Sequence, residues 1–272
     1  MRAAYLRLVE HYGTTETIES QIIQTAHWLT LHLDCIHVWT AYLKLLEQHG
    51  TEEQRNNALN SLSDWLEQHP EQNTVWITYL TIVKQYGNRE QIAHALQTTS
   101  AWLRQQPDID SLRFSYLALL EEHGEVLHEL KQYEAALTIY AQAIQWDQEN
   151  VLFYYHQGIT LRKLYRYDEA LAVFEQVIRM APGDATAYIN KGKILYSLKR
   201  YAEALETYEQ AIQYNPSLAQ AHGDRGTILR RLGRHEEALE AYQQALDLDP
   251  QNPVIRSKYD EQLKRSAKQK HR

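Results

Sequence analysis

Phenylalanine occurs three times, cysteine once, and proline and glycine six and ten times in 272 residues. The lone Cys35 excludes an intramolecular disulfide framework. So few chain breakers, with Ala, Leu, Glu and Gln spread throughout, point to helix. No apolar run approaches the roughly 20 residues that cross a bilayer, so no membrane association is expected. The opening MRAAYLRLVEHYG lacks the continuous apolar stretch of a signal peptide, and a cytoplasmic setting is the expectation. A formal charge of -7 argues against phosphate binding by the chain as a whole. Motifs of the kinds HExxH, GxxxxGK(S/T), GxSxG and GxGxxG are absent, so no catalytic role and no cofactor are assigned.

What is present is repetition, at two periods. In the C-terminal half Gly124, Gly158, Gly192 and Gly226 stand 34 residues apart, as do Ala136, Ala170, Ala204 and Ala238. Tyr140, Phe174, Tyr208 and Tyr242 keep the same step, and Pro182, Pro216 and Pro250 close three of the four units. The small residues let two helices approach, the aromatic fills the space beside them, and the proline stops the second helix. The phrases RYDEAL, RYAEAL and RHEEAL recur in register. Together these residues resemble the tetratricopeptide repeat in units 117–150, 151–184, 185–218 and 219–252. The first unit departs most, with Gln148 in place of the proline.

The N-terminal half repeats every 37 residues through Tyr5, Tyr42, Tyr79 and Tyr116, through Gly13, Gly50, Gly87 and Gly124, and through Trp28, Trp65 and Trp102. Pro70 and Pro107 share that step. Glycine at the end of each first helix suits a left-handed cap, and Thr51 with Gln54, or Asn88 with Gln91, suits the N-cap of the second. Trp39 with Tyr42 and Trp76 with Tyr79 resemble the first helix of half-a-TPR repeats, associated with RNA-processing complexes. Arg2 and Arg113 replace the Trp in the outer units.

The expected fold is therefore all-α, an α-α superhelix or solenoid of stacked antiparallel helix pairs. Three units are expected in residues 1–115, four in 116–252, and a capping helix with a basic tail in 253–272. Gly124 belongs to both series and no linker composition separates them, so one continuous stack is expected. Ile255, Tyr259 and Leu263 would cover the last unit, leaving Lys268, Lys270 and Arg272 as a solvated tail. The chain begins inside a first helix, which suggests that the first pair packs on something outside this sequence.

Thirteen histidines invite a metal reading, with His32, Cys35 and His37 the best cluster, but no fourth ligand accompanies them. A surface turn explains them better. His11, His49 and His123 stand just ahead of the glycines, and repeat inheritance accounts for them. Exposed glutamates serve solubility and helix pairing.

The tetratricopeptide resemblance implies a non-catalytic scaffold holding a protein or peptide in its concave groove, lined by first helices. Carried over by position, the groove residues are Tyr155, Ile159, Arg162, Lys163, Asn190, Lys193, Tyr196, Thr227, Arg230 and Arg231, with His156, Ile189, Ser197 and Asp224 beside them. First helices of the last three units carry Arg162, Lys163, Lys191, Lys193, Lys199, Arg225, Arg230 and Arg231 against Asp224 alone, while second helices carry acids and one base, Arg179. Helix dipoles explain much of this sorting. The interior position of Lys193 suggests instead a ligand with acidic groups, and Glu121, Glu122, Glu125 and Glu129 on the preceding first helix would reverse the groove's sign. The chaperone-tail carboxylate clamp is not matched, since Tyr155, Ile159, Gln220 and Asp224 occupy most of its positions and only Asn190 agrees. RNA binding is the second reading, disfavoured by net acidity and by the lack of a repeating base-reading pair. The third is the sensor or regulatory arm of a larger signalling enzyme. A small-molecule ligand is not expected.

Overall fold

A computed structural model of the chain describes residues 1–29, 32, 36–106 and 109–270. Pro107, Cys35 and Arg272 lie outside them, and so does any test of the His32–Cys35–His37 cluster. Among the described residues fifteen helices and no strand are found. The helix contacts divide the chain into two compact units, Met1–Val126 and Leu127–Arg272.

The N-terminal unit pairs α1 (Arg2–Tyr12) with α2 (Thr15–Leu29), α3 (Ile36–His49) with α4 (Glu52–Gln68), and α5 (Asn73–Tyr86) with α6 (Arg89–Gln105). The helix α7 (Asp110–Glu129) carries the boundary between the units. The 37-residue step fixes what is buried: Leu6, Leu43, Leu80 and Leu117 form one row, and Val9, Leu46, Val83 and Leu120 another, each at most 6% exposed. Each such side chain contributes roughly 2 kcal/mol by leaving water. Tyr42, Tyr79 and Tyr116 are buried in step, whereas Tyr5 is exposed. Beside it Arg2 stands in the Trp position, its guanidinium 5.0 Å from the Trp28 ring centre.

Both expected capping boxes form. Thr51 accepts from the Gln54 amide and Asn88 from the Gln91 amide, and each Gln side chain accepts in return from the cap backbone. The preceding glycines are not left-handed: Gly13 has φ -75° and Gly87 φ -68°, both extended. Space is their reason. A Cβ would lie 2.5 Å from the Val9 carbonyl oxygen at Gly13 and 2.5 Å from that of Val83 at Gly87. Gly124 ends nothing, because α7 runs through it.

The C-terminal unit continues with α8 (Tyr133–Trp146), then the pairs α9 (Val151–Lys163) and α10 (Tyr167–Met180), α11 (Ala185–Ser197) and α12 (Tyr201–Tyr214), α13 (Ala219–Arg231) and α14 (His235–Leu248), and ends on α15 (Pro253–Lys270). The glycines at the 34-residue step, Gly158, Gly192 and Gly226, each lie under an aromatic ring of the partner helix. A Cβ would stand 2.7 Å from Phe174 at Gly158, 2.7 Å from Tyr208 at Gly192 and 2.8 Å from Tyr242 at Gly226. The alanines Ala170, Ala204 and Ala238 are fully buried.

The turn inside each of these pairs has a signature the glycines did not announce. Lys131, Tyr165, Lys199 and Gly233, again 34 residues apart, have φ between 60° and 79°. At Lys199 the amide donates to the Tyr196 carbonyl and the next amide, of Arg200, to that of Leu195. This is a Schellman closure. Arg166, Arg200 and Arg234 then pair with Glu169, Glu203 and Glu237 at 2.7, 2.7 and 2.6 Å.

Both units share one further device. The carbonyl of the closing proline accepts a hydrogen bond from the side chain six residues on: Pro70 from Trp76 at 3.1 Å, Pro182 from Tyr188 at 3.2 Å, Pro216 from His222 at 2.9 Å and Pro250 from Arg256 at 2.7 Å. The expected capping face of α15 is corrected at one position. Ile255 is buried and Tyr259 half-buried, but Leu263 is 48% exposed and Gln262 takes the inward place. Seven residues make nearly two turns of helix from Ile255 to Gln262, and one more rotates the side chain about 100° outward.

Candidate ligand-binding face

Within the C-terminal unit α9, α11 and α13 follow one another at the 34-residue step, with α15 after them, and side chains bridge each neighbouring pair. Asn190 on α11 donates through Nδ2 to the Tyr155 hydroxyl on α9 at 2.7 Å and to the carbonyl of Thr186 at 2.9 Å. Tyr155 also meets Phe174 edge to face at 5.5 Å, and burial raises its pKa. Its place is thus set by the core. Tyr196 on α11 accepts from Arg231 Nε on α13 at 3.2 Å, with the guanidinium 5.9 Å from the ring centre. Ile159, half-buried, packs against the core beneath α9.

Toward the C-terminus the face is occupied by its own contacts. The Thr227 hydroxyl donates to the Gly223 carbonyl at 3.0 Å and accepts from the Tyr242 hydroxyl at 3.3 Å and from Lys258 Nζ at 3.1 Å. Arg230 Nη1 lies 3.3 Å from Glu261 Oε2. Lys258 and Glu261 were not among the expected groove residues, because α15 was read as a cap. The signal was available: they stand 34 residues after Asp224 and Thr227.

The sequence placed ten residues on this face, and the structure sorts them. Asn190, Thr227, Arg230 and Arg231 have partners within the unit, and Tyr155 and Tyr196 are their acceptors or neighbours. Ile159 presents a half-buried apolar edge. Arg162, Lys163 and Lys193 form no ion pair among the described residues. Lys163 is exposed, whereas Arg162 and Lys193 are half-buried and the Arg162 Nε is shielded from water without a partner.

Lys193 and Asp224 perturb each other. Burial lowers the Lys193 pKa, the Arg162 charge lowers it further, and Asp224 opposes both. Burial raises the Asp224 pKa, against the pull of Lys193 and Lys258, and its Oδ2 has no hydrogen-bond partner. His128 is held low by burial and by Lys163, His156 and Arg162. An excess of positive charge in partly desolvated surroundings is the result. Such a face favours an anionic group that accepts hydrogen bonds. The His32 ring, by contrast, stacks on Trp28 at 4.1 Å with its Nδ1 3.0 Å from the Trp28 carbonyl, and His69 repeats this on Trp65. Both serve helix ends.

Comparison with known proteins fits these features. Residues 118–150, and residues 155–253 in two overlapping spans, match the tetratricopeptide repeat. Among curated proteins none matches significantly. The fold is similar to that of YrrB, described as a TPR protein with an unusual peptide-binding site, at 19% identity and a TM-score of 0.55, over 73% of this chain and 97% of that one. It is also similar to MamA from Desulfovibrio magneticus RS-1, at 22% identity and a TM-score of 0.52, over 65% and 97%.

Proposed function

The chain belongs to the tetratricopeptide-repeat proteins through its C-terminal half, and from that premise we propose that this scaffold holds an acidic peptide segment of a protein partner along α9, α11 and α13. Arg162 and Lys193 would accept its carboxylates, and Tyr155, Ile159 and Tyr196 would take its apolar side chains, with Lys163 and Arg231 at the margin. The observation that carries the reading is the pair Arg162 and Lys193, half-buried on neighbouring helices with no ion pair among the described residues. A cation in that state is stabilised by an incoming carboxylate more than a solvated one is. Asn190, Thr227 and Arg230 would act by holding the face in shape, because their hydrogen bonds are made within the unit.

The reading is non-catalytic, without cofactor, and set in the cytoplasm. No helix among the described residues is long and apolar enough to cross a membrane. Fluorescence polarisation with labelled peptides rich in Asp and Glu around one aromatic residue, against their Asn and Gln counterparts, tests it. Lys193→Glu and Arg162→Glu should each weaken the acidic peptides at least tenfold, and Asp224→Asn should strengthen them. Equal affinity for acidic and amide peptides would remove the reading.

A further inference from the structure

The 37-residue repeat provides an internal control for every position in the N-terminal unit. Between α4 and α6 the Tyr79 hydroxyl donates to Ser63 Oγ at 3.0 Å, and Ser63 Oγ lies 3.0 Å from His94 Nδ1. His94 Nε2 continues to Glu67 at 3.0 Å, and Gln91 Nε2 crosses to Asn60 at 2.8 Å. These contacts form a polar seam between the second helices α4 and α6, joined by Tyr79 from α5. One period earlier the counterparts of Tyr79, Ser63, Asn60 and His94 are Tyr42, Ala26, Ile23 and Asn57. The tyrosine is kept and its acceptor is gone.

Tyr42 is 3% exposed, and its hydroxyl has no hydrogen-bond partner among the described residues. Burial alone pushes its pKa up to about 12, whereas at Tyr79 the Ser63 hydrogen bond works against the rise. A cavity of about 300 Å³ lies at this position, between α2, α3 and α4. Tyr42 lines it, with Ile22, Ile23, Trp39 and Ala58 as apolar walls and His27, Gln54, Asn57 and Ser61 at the polar side. Ile23, Asn57 and Ser61 are exposed, so the cavity opens to solvent there. No Asp, Glu, Lys or Arg is among the lining residues.

We infer that this cavity binds a compact, neutral, largely apolar small molecule whose one hydrogen-bond acceptor, a carbonyl or ether oxygen, engages the Tyr42 hydroxyl. The size suits a single ring with a short substituent, at the small end of ligand pockets. An ion is disfavoured because no carboxylate, ammonium or guanidinium lines the cavity to replace its hydration, and the one imidazole, His27, is exposed at its edge. The corresponding hollow one period later, about 280 Å³ beside Tyr79, carries Asp64 and Glu90 and has its hydroxyl and imidazole already paired. It is not a second copy of the site.

The full chain, labelled at isoleucine methyl groups, is titrated with acetophenone as the neutral acceptor, benzoate as its charged analogue and ethylbenzene as the analogue without an acceptor. Acetophenone should shift the Ile22 and Ile23 methyl signals saturably, with affinity about tenfold above ethylbenzene, the worth of one buried hydrogen bond, and benzoate should bind more weakly still. Tyr42→Phe should bring acetophenone down to the level of ethylbenzene. Ala26→Ser, which restores the acceptor found at Ser63, should weaken acetophenone and leave ethylbenzene nearly unchanged. Ala58→Leu should abolish binding by filling the space, and Ala26→Ser answers the question should that variant fail to fold. No saturable shift at Ile22 and Ile23 in the folded chain, benzoate binding as well as acetophenone, or indifference to Tyr42→Phe would each overturn the inference.

Discussion

In the N-terminal unit the turn inside each helix pair is closed by side chains; in the C-terminal unit the backbone closes it. Thr51 and Asn88 cap α4 and α6 directly after a glycine that is not left-handed. At the same point of the later repeats Arg166, Arg200 and Arg234 occupy the N-cap without a side-chain cap bond, and the residue before each has positive φ. The second helices differ too, with 17 residues in α4 and α6 against 14 in α10, α12 and α14. That difference equals the gap between the two repeat periods. One architecture has thus been reached through two local solutions, and each predicts its own weak points.

The largest effect is expected where glycine gives space. Gly192→Ala would drive a Cβ into the buried Tyr208 ring and should destabilise the C-terminal unit by about 1–3 kcal/mol, read from urea midpoints by circular dichroism. Combining it with Tyr208→Leu should recover part of the loss, because a side chain is the obstacle. Gly87→Ala should cost a similar amount without such rescue, since a backbone carbonyl is in the way. Gly183→Ala, with nothing within 4 Å, should change little.

Next comes the cap. Asn88→Ala should cost about 1 kcal/mol, read by tryptophan fluorescence, which reports chiefly on the N-terminal unit because Trp28, Trp39, Trp65, Trp76 and Trp102 lie there and only Trp146 in the other. Gly233→Ala should cost about 1 kcal/mol in the C-terminal unit, and Lys199→Gly should gain somewhat less, the relief of a left-handed conformation being offset by a looser unfolded chain. The smallest effect belongs to the turn ion pairs. Arg200→Gln should leave the thermal midpoint unchanged at moderate salt, since exposed pairs are screened. A clear drop there would show that the charges, and not the backbone, hold the later turns.

The periodic glycine, alanine and aromatic positions made both repeats legible, because each must recur for the packing to recur. The capping boxes were legible because Thr51 with Gln54 and Asn88 with Gln91 carry their own geometry. The left-handed turn was not, since none of Lys131, Tyr165 and Lys199 favours positive φ and only Gly233 hints at it. On the candidate face the sequence offered positions but not the contacts those side chains make. Whether Arg230 is paired depends on α15, and a helix read only as a cover conceals that Glu261 reaches back. Tyr42 looked like one more core tyrosine until the Tyr79 to Ser63 bond showed what its copy lacks.

The proline carbonyl that accepts from the sixth residue onward is met by an indole, a phenol, an imidazole and a guanidinium in its four uses among the described residues. What that position specifies is a donor at a given reach, and the residue alphabet has at least four spellings for it. A comparison that scores residue identity will see unrelated letters there, although the joint they make is the same.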